Sequence, residues 1–184
     1  MALLYTPEKD KNLHLIDFSL KNIDGKMIDL EDVRSDNGTV LMFICNHCPY
    51  VLAVIDRMVQ DCKILQNRSI GCAAIMSNDT LAYPADSFEN MKIFSKEHDF
   101  SFPYLFDETQ DIARSYGAIC TPDFFGFDAN GRLQYRGRLD SAVSNEADEN
   151  TTHELQEAML EIAETGRYSH KQYPSMGCSI KWKS

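Results

Sequence analysis

The chain has 184 residues, of which 43% are hydrophobic and 25% charged, the balance of a globular protein with a buried core; this excludes a disordered tail or a fibrous repeat. With 18 Lys and Arg against 28 Asp and Glu, the net charge is −10, a surface that repels phosphate backbones and argues against nucleic acid as a partner. The longest clean apolar run, Val40 to Ile44, is far too short to cross a bilayer, and the first ten residues lack the basic, apolar and small-residue series of a leader. The expectation is a single cytoplasmic domain over 1–184, with a core at about 13–166, a C-terminal tail at 167–184 and no membrane partner.

In chain order, apolar residues at 13, 15, 16, 18 and 20, a break at Asp24-Gly25 and a resumption from Met27 to Leu30 predict an N-terminal β-hairpin. Val40 to Ile44 is apolar at every position, as in a strand covered on both faces. From about Pro49 to Leu65 apolar residues fall at Val51, Ile55, Met58, Cys62 and Leu65, which predicts one long amphipathic helix. Ile70 to Met76 is a second wholly apolar strand. Asp86 is read as opening a helix with Phe88, Met91 and Phe94 on one face. Asp107-x-x-Gln110 has the form of a capping box before Ile112, Ala113 and Tyr116, with Gly117 as the stop. Phe124 to Phe127 and Leu133 to Tyr135 flank Asp128-Ala129-Asn130-Gly131 as a second hairpin. Ser141 to Asn150 is polar and acidic and reads as a mobile loop. Beyond it, Thr151-x-x-Glu154 has the form of a capping box before Leu155, Ala158, Met159 and Ile162, and Gly166 ends that helix. This order predicts an α/β chain with a mixed central sheet flanked by helices and an added N-terminal hairpin.

Six cysteines are the informative count. Cys62, Cys72, Cys120 and Cys178 stand alone, as small buried hydrophobes do, whereas Cys45 and Cys48 form a Cys-x-x-Cys. Cys45-Asn46-His47-Cys48 falls where the buried strand ends and the long helix begins, and Pro49 suits a first helical turn. Unpaired N–H groups and partial positive charge at such a turn favour a thiolate, and His47 adds a cation or a donor beside it. Half of a zinc ribbon would also read Cys-x-x-Cys, but the next cysteines occupy a helix face and a strand rather than a second ligand pair. Redox chemistry is the favoured reading, with neither a metal nor a cofactor expected.

The chain resembles the thioredoxin-like superfamily, in the redoxin branch that joins peroxiredoxins (AhpC/TSA) to TlpA-like thioredoxins. It looks most like peroxiredoxin-like proteins with a Cys-Asn-His-Cys-Pro motif. The likeness is carried by Phe18-Ser19-Leu20 with Asp24-Gly25-Lys26, by Cys45 to Tyr50, and by Phe106-Asp107-Glu108-Thr109-Gln110. Tyr116-Gly117, Cys120-Thr121-Pro122-Asp123-Phe124-Phe125 and Phe127-Asp128 with Gly131 complete it. The resemblance implies a thioredoxin-like fold, a reactive dithiol at Cys45 and Cys48, and a cis-proline at Pro122 on a loop whose backbone pairs with the substrate chain. The chain also departs from the pattern. Ile44 stands where a Trp is usual, no acid lies within Val40 to Ile44, and Met42 and Cys45 hold the places of the Thr that precedes a peroxidatic cysteine.

The resulting expectation is a thiol-disulfide oxidoreductase in which Cys45 attacks, Cys48 resolves, His47 tunes the thiolate, and Thr121 and Pro122 seat the substrate. Its partners would be a protein disulfide or a peroxide, and a thiol reductant as electron donor. The alternative is an antioxidant thiol peroxidase that passes through a sulfenic acid. A third reading is a non-catalytic metal carrier, with His153 as the distant ligand. Of the isolated thiols, Cys120 is expected to lie nearest the dithiol because it is two residues before Pro122; Cys178 could take that auxiliary role only if the tail folds back.

Overall fold

The computed structural model describes residues 3–183. In chain order they form β1 (Leu3–Tyr5), β2 (Ser19–Asn22), β3 (Met27–Asp29), α1 (Leu30–Val33), β4 (Thr39–Phe43), α2 (Pro49–Leu52), α3 (Ile55–Gln66), β5 (Gly71–Met76), α4 (Phe88–Glu97), β6 (Tyr104–Phe106), α5 (Asp111–Tyr116), β7 (Cys120–Thr121), β8 (Asp123–Phe127), β9 (Leu133–Gly137), α6 (Glu154–Thr165) and β10 (Met176–Ser179). Seven strands build a mixed sheet in the order β3-β2-β6-β5-β4-β8-β9, and β1, β10 and β7 build a small antiparallel one. No helix among the described residues is long and apolar enough to cross a membrane.

The unbroken apolar run places β4 at the centre: all five of its residues are buried. It pairs parallel with β5 and antiparallel with β8. Because side chains alternate across a strand, its two faces join different cores. Val40 and Met42 belong with Met58 and Cys62 of α3 and Met159 of α6. Leu41 and Phe43 belong with Tyr116, Phe125 and Phe127, and the Phe43 and Phe125 rings meet edge to face at 5.5 Å. The second hairpin, β8 to β9, forms as expected.

Several expectations need correction. The first hairpin is shorter, because only β2 and β3 pair around Gly25 (φ +88°). Residues 13–18 instead run beside the second hairpin, with Leu15 N–H donating to Gly131 O and Leu133 N–H to Leu13 O. The long helix is two pieces, α2 and α3. Val54 N–H reaches back three residues to Val51 O at 3.0 Å, and this tightened turn breaks the run. Apolar spacing alone does not register such a break. Asp86 does not open α4; Ser87 caps it, its hydroxyl accepting the Asn90 N–H. Neither of the later capping boxes forms. Asp107 takes the Ala113 N–H at 2.9 Å and the Ser77 hydroxyl at 2.8 Å, while Gln110 turns away into a left-handed conformation. Thr151 faces Asp148, and Glu154 forks onto Arg138. Gly117 and Gly166 do end α5 and α6, at φ +64° and +75°. The polar loop after Asp140 is held by Arg57, which forks onto the Asp140 carboxylate at 2.6 and 3.2 Å and also donates to the Val143 carbonyl at 2.9 Å.

The C-terminal segment folds back. Cys178 pairs with Thr121 and Ser179 with Cys120 in the β10–β7 register. Ser175 donates to the Pro122 carbonyl at 2.7 Å, Lys181 N–H donates to Asn78 Oδ1 at 2.8 Å, and the Gln110 amide donates to the Lys181 carbonyl at 2.7 Å. Gly177 permits the approach, since a Cβ there would lie 2.0 Å from the Thr121 carbonyl oxygen. Gly177→Ala should therefore push β10 off β7 at a cost of about 1–3 kcal/mol. The expected readout is a lower urea midpoint at an unchanged slope, with faster alkylation of Cys178. An unchanged midpoint with Cys178 still protected would contradict this account of the docking.

Candidate active site

The dithiol lies where β4 runs out and α2 begins. Cys48 is the N-cap of α2 with extended backbone, Pro49 follows as the first helical residue, and the Cys48 carbonyl accepts the Val51 and Leu52 N–H groups at 3.0 Å each. The Thr121–Pro122 peptide is cis, as the resemblance implied. The Thr121 hydroxyl is 3.3 Å from Cys45 Sγ, and its carbonyl oxygen is 3.2 Å from Cys48 Sγ. A third sulfur completes the cluster: Cys178 Sγ lies 2.8 Å from Cys48 Sγ. All three residues are buried, with Cys45 at 1%, Cys48 at 0% and Cys178 at 4% exposure.

The two thiols of the motif are pushed in opposite directions. Cys48 is lowered to about 5, first because Cys45 donates its S–H to it, and further by Cys178 and the Val51 N–H, against the cost of burial. Cys45 is raised well above the ordinary thiol range by that same hydrogen bond, by burial and by the Asp86 carboxylate. Cys178 is raised to about 12 by burial and by its contact with Cys48, so it keeps its proton. The surroundings of the pair thus favour ionisation at Cys48 over Cys45, the opposite direction to the one the order of the motif suggested. The hydrogen bonds that Cys48 Sγ directs to the Thr121 carbonyl and to Cys178 Sγ suit the protonated thiol and work against that direction.

Asp86 is the residue that sequence reasoning missed. It sits in the 3₁₀ turn Pro84–Asp86, is fully buried, and supports the motif from the side. Its Oδ1 accepts the Asn46 N–H at 2.8 Å, and its Oδ2 accepts the Asn78 amide at 2.8 Å. His47 Nδ1 stands 2.8 Å from the same Oδ2, and the imidazole stacks on Tyr83 at 5.7 Å. Asn46 is fixed at its other end by the Tyr104 hydroxyl, 2.9 Å away. No acid precedes the motif in β4, but one arrives beside it from a segment 40 positions later. Ligand atoms of Cys45, His47 and Asp86 lie within 4.8 Å of one another, a set that could hold a metal ion. His153 is not part of it, since its Nδ1 faces Asp61 at 3.3 Å.

The placement of the isolated thiols also needs correction. Cys120 shares the Thr121 strand, yet burial raises its thiol far above the ordinary range, and it makes no sulfur contact with the dithiol of the kind Cys178 makes. Its neighbour across the strands is Ser179. Cys62 points at Met42 Sδ, 3.6 Å away in the core. The main chain of Thr121, which the resemblance assigns to substrate, is paired with β10.

Comparison with known proteins follows this geometry. Residues 12–136 match the model of the AhpC/TSA family. Among solved structures, an uncharacterized conserved protein from Geobacillus kaustophilus is 43% identical with a TM-score of 0.92, the match covering 100% of this chain and 97% of that one. A hypothetical protein from Sinorhizobium meliloti 1021 is 31% identical with a TM-score of 0.89, covering 98% of each chain. A thiol:disulfide interchange protein, a thioredoxin family protein from Chlorobium tepidum TLS, is 18% identical with a TM-score of 0.62, covering 85% of this chain and 99% of that one, and supports the thioredoxin-like fold. No curated protein matches the chain.

Removing the Cys45 donor tests the assignment of the anion. In Cys45→Ala the Cys48 thiolate should protonate at higher pH, moving up from about 5 by more than one unit. A hydrogen bond to a charged group is worth about 1.5–3 kcal/mol, and one unit about 1.36 kcal/mol. Ultraviolet absorbance of the thiolate, followed against pH, reads this without requiring reagent access. A midpoint that stays put would remove Cys45 as the stabilising donor.

Proposed function

Since the chain belongs to the AhpC/TSA family, we propose that it is a thiol-disulfide oxidoreductase, acting as one domain, that works through Cys45 and Cys48. The observation that carries this reading is the sulfur pair at the start of α2, with Cys45 Sγ 3.3 Å from the Thr121 hydroxyl and Cys48 Sγ 3.2 Å from the Thr121 carbonyl oxygen. In the proposed step the Cys48 thiolate attacks one sulfur of a substrate disulfide, and the other sulfur leaves as a thiolate. Cys45 gives its proton to that leaving thiolate and attacks Cys48, releasing the second substrate thiol and closing a Cys45–Cys48 disulfide. An external thiol donor then returns the pair to the reduced state. His47 and Asp86 would hold the loop and balance charge around Cys45, while Thr121 and Pro122 fix both sulfurs from above. The proposed setting is the cytoplasm, where thiols are kept reduced.

The burial of both sulfurs favours a second reading, a thiol peroxidase, because a peroxide is small enough to reach them. There Cys48 would attack the peroxide, release an alcohol or water, and become a sulfenic acid that condenses with Cys45 with loss of water. The spacing supports it less well, since Cys45 rather than Thr stands three residues before Cys48.

Insulin reduction in the presence of a dithiol separates the two readings. The chain should accelerate it, Cys48→Ala should fall to the background of the free dithiol, and Cys45→Ala/Cys178→Ala should accumulate a mixed disulfide at Cys48. Rapid, saturating consumption of hydrogen peroxide with no effect on insulin would favour the peroxidase.

A further inference from the structure

The reading of Cys45 and Cys48 as a two-thiol site leaves the nearest sulfur unused. Cys178 Sγ is 2.8 Å from Cys48 Sγ, on a strand that the rest of the chain holds in place. Its backbone is in register with Thr121, whose carbonyl touches the same Cys48 sulfur. Ser175, three residues before Cys178, donates to the Pro122 carbonyl. Lys181, three residues after Cys178, is bound by Asn78, Asp79 and Gln110. Gly177, beside Cys178, is the residue whose missing side chain lets the strand lie against Thr121. The packing therefore fixes Cys178 on both sides, and its sulfur needs only a short side-chain movement to reach the roughly 2.03–2.05 Å of a disulfide.

We infer that Cys178 is a third redox thiol of this site, and that the chain closes a Cys48–Cys178 disulfide as well as a Cys45–Cys48 one. The inference rests on the proposed oxidoreductase reading, with Cys48 as the attacking sulfur. Attack of the Cys48 thiolate on a substrate disulfide leaves a mixed disulfide of Cys48 with one substrate thiol. The leaving thiolate of the first attack takes the Cys178 proton. The Cys178 thiolate attacks Cys48 Sγ, the bond from Cys48 to substrate breaks, and the second substrate thiol departs with a proton from solvent. Two thiols of the chain are oxidised and one substrate disulfide is reduced. Cys45 can then attack Cys48 in the Cys48–Cys178 disulfide, which frees Cys178 and transfers the bond with no net gain or loss of electrons. Cys48 is thus the common sulfur of two disulfides, and oxidation can be stored at the C-terminal strand while Cys45 is free. Reduction from either form requires an external thiol donor.

Full-length Cys45→Ser isolates the step, because it keeps Cys48 and Cys178 and removes the competing thiol. After one equivalent of oxidised glutathione, alkylation and peptide mapping should find an intramolecular Cys48–Cys178 disulfide with the glutathione released. In Cys45→Ser/Cys178→Ala the glutathione should stay on Cys48. The unsubstituted chain, treated alike, should show Cys48–Cys178 beside Cys45–Cys48, so the outcome does not depend on either variant folding. Glutathione persisting on Cys48 in Cys45→Ser, links between molecules only, or equal release from the double variant would overturn the role of Cys178. An unsubstituted chain that reduces insulin while showing any of these sinks this inference alone. A chain that neither reduces insulin nor takes glutathione on Cys48 sinks the oxidoreductase reading and this inference with it.

Discussion

The antiparallel pairing of Met176–Ser179 with Cys120–Thr121 is the constraint on which the site depends. It is a short ladder, yet it sets three things at once. It presses the Thr121 carbonyl against the Cys48 sulfur, brings Cys178 to that sulfur, and buries the dithiol under the chain's own C-terminal strand. The register cannot slip without effect, because a one-residue shift would turn Cys178 to the other face of the strand. Side-chain hydrogen bonds from Ser175 and Gln110, and to Asn78, lock it at both ends.

Within that frame, the end of a helix is too weak to account for the anion on Cys48. A helix terminus contributes about 0.3–1 kcal/mol, less than one unit of thiol acidity. Here α2 has four residues before the break at Val54, so little dipole accumulates. The lowering to about 5 comes first from the Cys45 thiol, with smaller contributions from Cys178 and the Val51 backbone, against the cost of burial. Asp86 works on the other partner: its negative charge discourages ionisation of Cys45 and so helps keep the S–H that Cys48 needs. The pair is polarised by its surroundings as much as by its position on the helix.

What was legible in the sequence is what local pattern controls. Val40 to Ile44 declared a strand covered on both faces, and β4 is buried throughout. The Asp24-Gly25 and Asn130-Gly131 turns and the stops at Gly117 and Gly166 followed from backbone requirements that few residues meet. The Cys-x-x-Cys at a strand-to-helix junction, and Thr121-Pro122 near it, were visible through motif and resemblance. Asp86 was not, and Cys178 entered only on the condition that the tail fold back, since nothing beside either one in sequence marks it as a neighbour of Cys48. Asp86 had a convincing local role as a helix start, and that reading masked its tertiary one. Asp107 and Thr151 show the same lesson from the other side: each spacing was right for a capping box, and each side chain found a different partner when the fold closed. The break at Val54 escaped notice because its apolar residues keep helical spacing across it.

Burial then bears on what can reach the site. In the thioredoxin-like pattern the main chain beside the cis-proline is the edge to which a substrate chain adds itself. Here β10 fills that edge, and Cys48 has no exposed surface. A polypeptide disulfide can pair with Thr121 only after β10 leaves it, which breaks the contacts of Ser175 and Lys181 as well. Within the motif, His47 is partly exposed and stacks on Tyr83, whereas the sulfurs on either side of it are buried. Departure of β10 would also carry Cys178 away from Cys48. Pairing of a polypeptide with Thr121 and contact of the third sulfur with Cys48 are therefore opposed in this chain.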